Sequence, residues 1–190
     1  GMAVSECILR SQFKDDVVDH YTYVLHGDGD IQEPVSQGAI ALAGHWGLGK
    51  LIAYYDSNDA QISGKVSRSD STDYAKMYES HRWQVINVNG HDRDEIRAAI
   101  RRSQMEFDRP TVIIGHTLMA HGCASMEGDY NTHGAPLPPN EISATKEKLG
   151  LDPDKYFDLP QDVLDDFRAS YNYAKEEVDA WNNNLKKRMN

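Results

Sequence analysis

Short apolar runs, each closed by turn formers and separated by helical stretches, constrain the fold of this chain more than any other feature. Tyr21-Thr22-Tyr23-Val24-Leu25 runs into Gly27-Asp28-Gly29, and Leu51-Ile52-Ala53-Tyr54-Tyr55 runs into Asp56-Ser57-Asn58-Asp59. Gln84-Val85-Ile86-Asn87-Val88 stops at Asn89-Gly90, and Thr111-Val112-Ile113-Ile114 stops at Gly115. Runs this short between turn residues read as buried strands. The stretches between them predict helices over 35–46, over 72–81 with a cap at Ser71 or Thr72, and over 92–106 with a cap near Asp92. Strands alternating with such helices form βαβ units. The expected fold is therefore α/β, a three-layer, mostly parallel sheet with helices on both faces.

Charge and cysteine content narrow the function. The chain has 190 residues, with 30 acidic against 20 basic side chains and a formal charge of −10. Phosphate contacts need clustered Lys and Arg, so a nucleic-acid partner is not expected. No apolar run approaches the roughly 20 residues that span a bilayer, and the first residues carry no basic, apolar leader, so no membrane is expected either. Cys7 and Cys123 make no disulfide framework, and a cytoplasmic, reducing setting follows. The chain begins at once with a helical stretch, Met2 to Leu9, and is expected to be a piece of a longer protein.

Residues 115–140 interrupt the alternation with Gly115, Gly122, Gly128, Gly134, three prolines and three histidines. An irregular loop of this length in a compact domain is usually functional. Residues 140–149 read as a helix. Beyond them Val163, Phe167, Tyr171, Ala174, Val178, Trp181 and Leu185 recur in steps of three and four, which predicts one long amphipathic helix docked on this or a partner domain.

Two apparent motifs fail on their own chemistry. Gly44-His45-Trp46-Gly47-Leu48-Gly49-Lys50 resembles the start of a phosphate-binding P-loop, but Leu51 follows where Ser or Thr must reach Mg²⁺. Its helix also precedes the strand. Its glycines are expected to close the helix and turn into that strand. His116, His121, Cys123 and His133 are spaced by 5, 2 and 10 residues, which matches no compact structural-zinc pattern.

Asp28 and Asn58 form a better pair. Each lies just past a predicted strand, 30 residues apart, and consecutive parallel strands deliver both side chains to the carboxyl edge where α/β folds bind ligands. A carboxylate, an amide oxygen and a nearby carbonyl make a hard-oxygen site of the partial kind that Mg²⁺ takes, completed by water and phosphate. Gly27 and Gly29 let a diphosphate approach the backbone, and the Gly29 N–H is a donor to it.

Gly27-Asp28-Gly29 with Asn58 after the next strand resembles the diphosphate-binding signature of thiamine diphosphate enzymes. Asp19-His20-Tyr21-Thr22-Tyr23, Leu42-Ala43-Gly44, Leu48-Gly49-Lys50-Leu51-Ile52, Asn89-Gly90-His91-Asp92 and Thr132-His133-Gly134-Ala135-Pro136-Leu137 resemble transketolases in particular. The resemblance runs almost from end to end. It implies the thiamine diphosphate-binding fold, incomplete at its N-terminus. It also implies transfer of a two-carbon ketol unit from a ketose phosphate to an aldose phosphate, in the pentose phosphate pathway. The implied cofactors are thiamine diphosphate and Mg²⁺, with Ca²⁺ or Mn²⁺ as substitutes. Asp28, the Asn58 side chain and the Ala60 carbonyl would hold the metal, and Gly29 the diphosphate. Ile62 would pack near the cofactor, and Glu33 would lie at a homodimer interface beside it. His133 would face the cofactor's phosphate and the substrate, binding hydroxyls or moving protons. Pro34 stands where the family often has Gly, Ala60 replaces a larger aliphatic residue, and His116 replaces a frequent Lys and receives no role.

On the same resemblance residues 1–150 are the later part of the diphosphate-binding domain. Residues 151–190 are a helix and linker toward an absent pyrimidine-binding domain or partner chain, and the chain alone would be inactive. A non-catalytic or split-subunit assembly module, and a related thiamine diphosphate enzyme, are the alternatives.

Overall fold

After a first helix, α1 (Met2–Phe13), the chain enters a sheet that begins with β1 (Thr22–Gly27) and continues through α2 (Asp28–Gln32) and α3 (Pro34–His45) to β2 (Leu51–Ser57). A short antiparallel hairpin, β3 (Ala60–Gln61) and β4 (Gly64–Lys65), leads to α4 (Tyr74–Ser80), β5 (Gln84–Asn89), α5 (Arg93–Ser103) and β6 (Thr111–His116). The helices α6 (Pro139–Lys148) and α7 (Gln161–Met189) complete the chain. This computed structural model describes residues 1–62 and 64–189, leaving aside the side chain of Asn172. The described residues fall into two units, Tyr21–Pro153 and a second made of Gly1–His20 with Asp154–Asn190.

In the larger unit the main sheet is parallel throughout, in the order β1-β2-β6-β5. The α/β expectation is met. Gly27 pairs with Asp56, and His116 lies level with both Ser57 and Asn89, so the four carboxyl ends share one edge. β6, between β2 and β5, is covered on both faces: Val112, Ile113 and Ile114 are 0, 1 and 4 % exposed. Such two-sided burial explains why its sequence is a continuous apolar run rather than an alternation. Ile113 packs in one cluster with Ile52, Ile86, Val88 and Ala99.

Local chemistry sets the helix ends. Asp92 caps α5 by accepting from the N–H groups of Asp94 at 2.8 Å and Glu95 at 3.1 Å, and Arg101 and Arg102 suit the opposite end of its dipole. α4 starts later than its sequence predicts. Asp70 accepts the Thr72 N–H at 2.8 Å and holds 70–72 in a turn, so Asp73 becomes the cap, accepting from Lys76 N at 3.1 Å. Pro34 occupies the first turn of α3, where its missing N–H costs nothing. Gly47 at φ 61° turns α3 into β2, the role expected of that glycine.

Within the long loop after β6, regular structure is confined to one helical turn, Tyr130–Thr132. Glu141 of α6 braces the loop. It is buried and accepts from Ser125 N at 2.8 Å, Ser125 Oγ at 2.7 Å and Met126 N at 3.3 Å. The Ser125 backbone N–H and hydroxyl hold its carboxyl below the usual range. A depressed folded pKa stabilises the fold above the unfolded value and loses that contribution as pH falls through the folded one. Glu141→Gln is therefore expected to lower the urea midpoint at neutral pH. The gap from wild type should close as pH falls through the depressed folded pKa of Glu141, and a gap independent of pH would remove this role.

In the smaller unit, Trp181 Nε1 of α7 donates to the Val17 carbonyl at 2.8 Å, and Arg188 pairs with Asp16 at 3.0 Å. Elsewhere on the stripe, Val163, Phe167, Tyr171 and Val178 are exposed. No helix among the described residues is long and apolar enough to cross a membrane.

Candidate active site at the carboxyl ends of β1 and β2

β1 ends at Gly27, whose N–H is held by Asp30 Oδ2 at 2.8 Å, and the next residue, Asp28, begins α2. This tight strand-to-helix turn buries the Asp28 side chain to 4 % exposure at the edge of the sheet. Tyr55 of β2 donates its hydroxyl to Asp28 Oδ1, and the Asn58 N–H donates to Asp28 Oδ2 at 3.3 Å. Asn58 is fixed in turn. Its Oδ1 accepts the Ala60 N–H at 3.0 Å, and its Nδ2 donates to Asp56 Oδ2 at 3.0 Å. Asp56 Oδ1 accepts from the Thr117 hydroxyl, and Thr117 N donates to the Ser57 carbonyl at 3.1 Å, which ties the turn to the end of β6.

Burial pushes the Asp28 carboxyl above its ordinary range, against the hydrogen bonds from Tyr55 and Asn58, and the charges of Asp56 and Asp59 push the same way. Burial and Asp28 also raise the Tyr55 phenol, which keeps it a donor. A buried carboxylate with the charges of two others near it, Asp56 and Asp59, favours a bound cation. The oxygens beside it are carboxylate and amide, the hard donors that suit Mg²⁺. Asp28 and Tyr55 open onto a cleft of about 390 Å³ that is also lined by Asp59, Asp70, Tyr74 and His116.

Hydrogen bonds link Asp28, Asn58 and Ala60. Gly29 follows in the exposed first turn of α2, where an added Cβ would meet nothing within 4 Å. Ile62 lies in the turn of the β3–β4 hairpin and is 85 % exposed. Glu33, between α2 and α3, is exposed. His133 is also exposed. It follows the 130–132 turn that lies against β4 and does not line the cleft beside Asp28. The histidines and Cys123 of the long loop form no cluster disposed for a metal among the described residues, and His121 stacks on His91 at 3.7 Å instead. Tyr55 and Thr117 read from sequence as a core residue and a loop residue. Only the pairing of β2 with its neighbours brings their hydroxyls onto Asp28 and Asp56.

Along residues 1–190 the chain matches the family model described as transketolase, thiamine diphosphate binding domain. The chain belongs to the transketolase family. The transketolase of Staphylococcus epidermidis is 42 % identical over 191 residues, an alignment that takes in 98 % of this chain and 29 % of that protein. The structure of Campylobacter jejuni transketolase superposes with a TM-score of 0.94 at 33 % identity, covering 98 % of this chain and 29 % of that one. A Pichia stipitis transketolase in complex with sedoheptulose 7-phosphate gives 0.90 at 31 %, over 96 % of this chain and 28 % of its own. The chain thus spans less than a third of the length of these transketolases. The family's cofactor suits the site. A diphosphate and its cation need hard oxygens and open N–H donors, and Asp28 is a buried charge that a cation would neutralise.

Proposed function

We propose that this chain supplies the diphosphate- and metal-binding half of a transketolase active site, within a longer protein that moves a two-carbon ketol unit from a ketose phosphate to an aldose phosphate. The observation that carries the reading is the hydrogen-bonded Asp28–Asn58 pair at the ends of adjacent parallel strands, in a chain matched throughout by the family's cofactor-binding domain. Asp28, the Asn58 amide oxygen and the Ala60 carbonyl hold Mg²⁺, for which Ca²⁺ or Mn²⁺ can substitute. The Gly29 N–H donates to the diphosphate, and Ile62 covers an apolar part of the cofactor, which would account for so exposed an isoleucine. Glu33 meets a second subunit in a homodimer, and the remainder of the protein brings the pyrimidine-binding domain. A cytoplasmic location belongs to the same reading.

When bound, thiamine diphosphate supplies the nucleophilic carbon and electron sink that cleavage of a ketose C2–C3 bond requires. The protein's residues position and protonate. The Asp28–Asn58 turn fixes the diphosphate end, and His133, on its Gly-rich loop, donates to or accepts from hydroxyls of the sugar at near-neutral pH. His133→Ala in the full-length protein is expected to lower kcat/KM about 100-fold even with Mg²⁺ and thiamine diphosphate saturating. A drop in cofactor affinity instead would place His133 against the cofactor alone.

The whole reading is tested by giving the full-length protein sedoheptulose 7-phosphate, the ligand of the Pichia relative, with glyceraldehyde 3-phosphate. The donor should lose two carbons and the acceptor gain them. Donor breakdown without a lengthened acceptor would point to a different thiamine diphosphate reaction.

A further inference from the structure

The two oxygens of the Asp28 carboxylate are not equivalent. Oδ2 faces the turn at the end of β2, where it takes the Asn58 N–H at 3.3 Å, while Oδ1 is occupied by the hydroxyl of Tyr55. Tyr55 is 4 % exposed and closely held. The His26 ring stacks on it at 5.1 Å and 12°, and the Tyr74 ring meets it edge-on at 5.8 Å and 83°. His26 is itself anchored, its Nε2 lying 3.0 Å from the Tyr78 hydroxyl. A ring packed this way cannot swing aside to release Oδ1 without disturbing His26 and Tyr74, the two aromatic rings against it.

That asymmetry bears on which ion the site prefers. Mg²⁺ demands a near-ideal octahedron and takes few protein ligands, keeping waters and phosphate for the rest. Ca²⁺ takes more oxygens in a looser shell and accepts a carboxylate through both of its oxygens. We propose that Tyr55 sets the cation preference of the site by holding Asp28 to one-oxygen ligation, which favours Mg²⁺ over Ca²⁺. The proposal rests on the reading of Asp28 as a metal ligand and adds to it a positioning residue that does not itself touch the ion.

The test uses the full-length protein stripped of metal, with thiamine diphosphate present. Mg²⁺ and Ca²⁺ are titrated separately by calorimetry into wild type, Tyr55→Phe, Tyr55→Met and Asp28→Ala, each below its own melting temperature. In Tyr55→Phe the ratio of the Ca²⁺ Kd to the Mg²⁺ Kd should fall about tenfold, the scale of one hydrogen bond to a charged group. Tyr55→Met, a second side chain without a donor, should move the ratio the same way and provides the measurement if Tyr55→Phe does not fold. A purely structural Tyr55 would weaken both ions alike. An unchanged ratio in the Tyr55 variants, with both ions lost in Asp28→Ala, overturns the role of Tyr55 and leaves the ligand reading standing. Wild-type binding of both ions by Asp28→Ala overturns the ligand reading and the proposal with it.

Discussion

Asp28→Ala in the full-length protein is expected to lower the affinity for thiamine diphosphate in the presence of Mg²⁺ by about 100-fold or more, since even residues that merely orient metal ligands cost 10–100-fold. The ligand-free fold should respond differently. Burial raises the Asp28 carboxyl above its unfolded value. A raised folded pKa gives stability that is present below the unfolded pKa and lost as pH rises through the folded one. Without metal, wild type should therefore lose stability as pH rises through and beyond the carboxylate range, and Asp28→Ala should lack that slope. At neutral pH the variant removes a buried charge but strands the Tyr55 hydroxyl, so its melting temperature should stay near that of wild type. Calorimetric titration of cofactor and metal, with melting curves across pH, checks both halves. Full affinity in Asp28→Ala would remove the metal assignment.

The residues at the strand ends were legible in sequence because the signals there are local. Gly27-Asp28-Gly29 and Asp56-Ser57-Asn58 close apolar runs, and consecutive parallel strands usually neighbour one another. β1 and β2 do pair, with Gly27 opposite Asp56. What holds these residues is not local. Tyr55 lies in a run that reads as core, and nothing in the run marks which tyrosine points its hydroxyl at a carboxylate 27 residues away. Thr117 reaches Asp56 only because β6 inserts between β2 and β5, an order that alternation of strands and helices does not specify. The β3–β4 hairpin, two residues per strand, is too short to show a period. At α4 three nearby cap formers competed, and the turn made by Asp70 and Thr72 decided for Asp73. The stripe of α7 announces a face that needs cover without naming its partner, and among the described residues its Trp181 end is tied down in the smaller unit.

Gly44→Ala should be among the most damaging single-methyl changes in the chain, and its effect should reach the site. An added Cβ at Gly44 would stand 1.7 Å from the His81 carbonyl oxygen, 2.9 Å from its carbon and 3.2 Å from Trp83 Cδ1. Backbone atoms cannot rotate away as a side-chain tip does, so α3 must lift from the turn before β5. Trp83 resists this, since its Nε1 donates to the Ile40 carbonyl of the same helix at 2.9 Å. Overpacking of this kind costs about 3 kcal/mol, or roughly 10 °C of melting temperature for a domain this size. Six residues earlier in α3, Gly38 meets nothing within 4 Å of an added Cβ. Gly38→Ala should raise stability by about 0.5–1 kcal/mol through helix propensity and a stiffer unfolded chain. The contrast separates steric clash from any general intolerance of α3. Because α3 follows Glu33 directly after the short α2 that carries Asp28, lifting it should also weaken binding of Mg²⁺ with thiamine diphosphate. Gly44→Ala melting at or above wild type would mean that the 81–83 turn yields. A lowered melting temperature with full cofactor affinity would mean that α3 moves without carrying Asp28 with it.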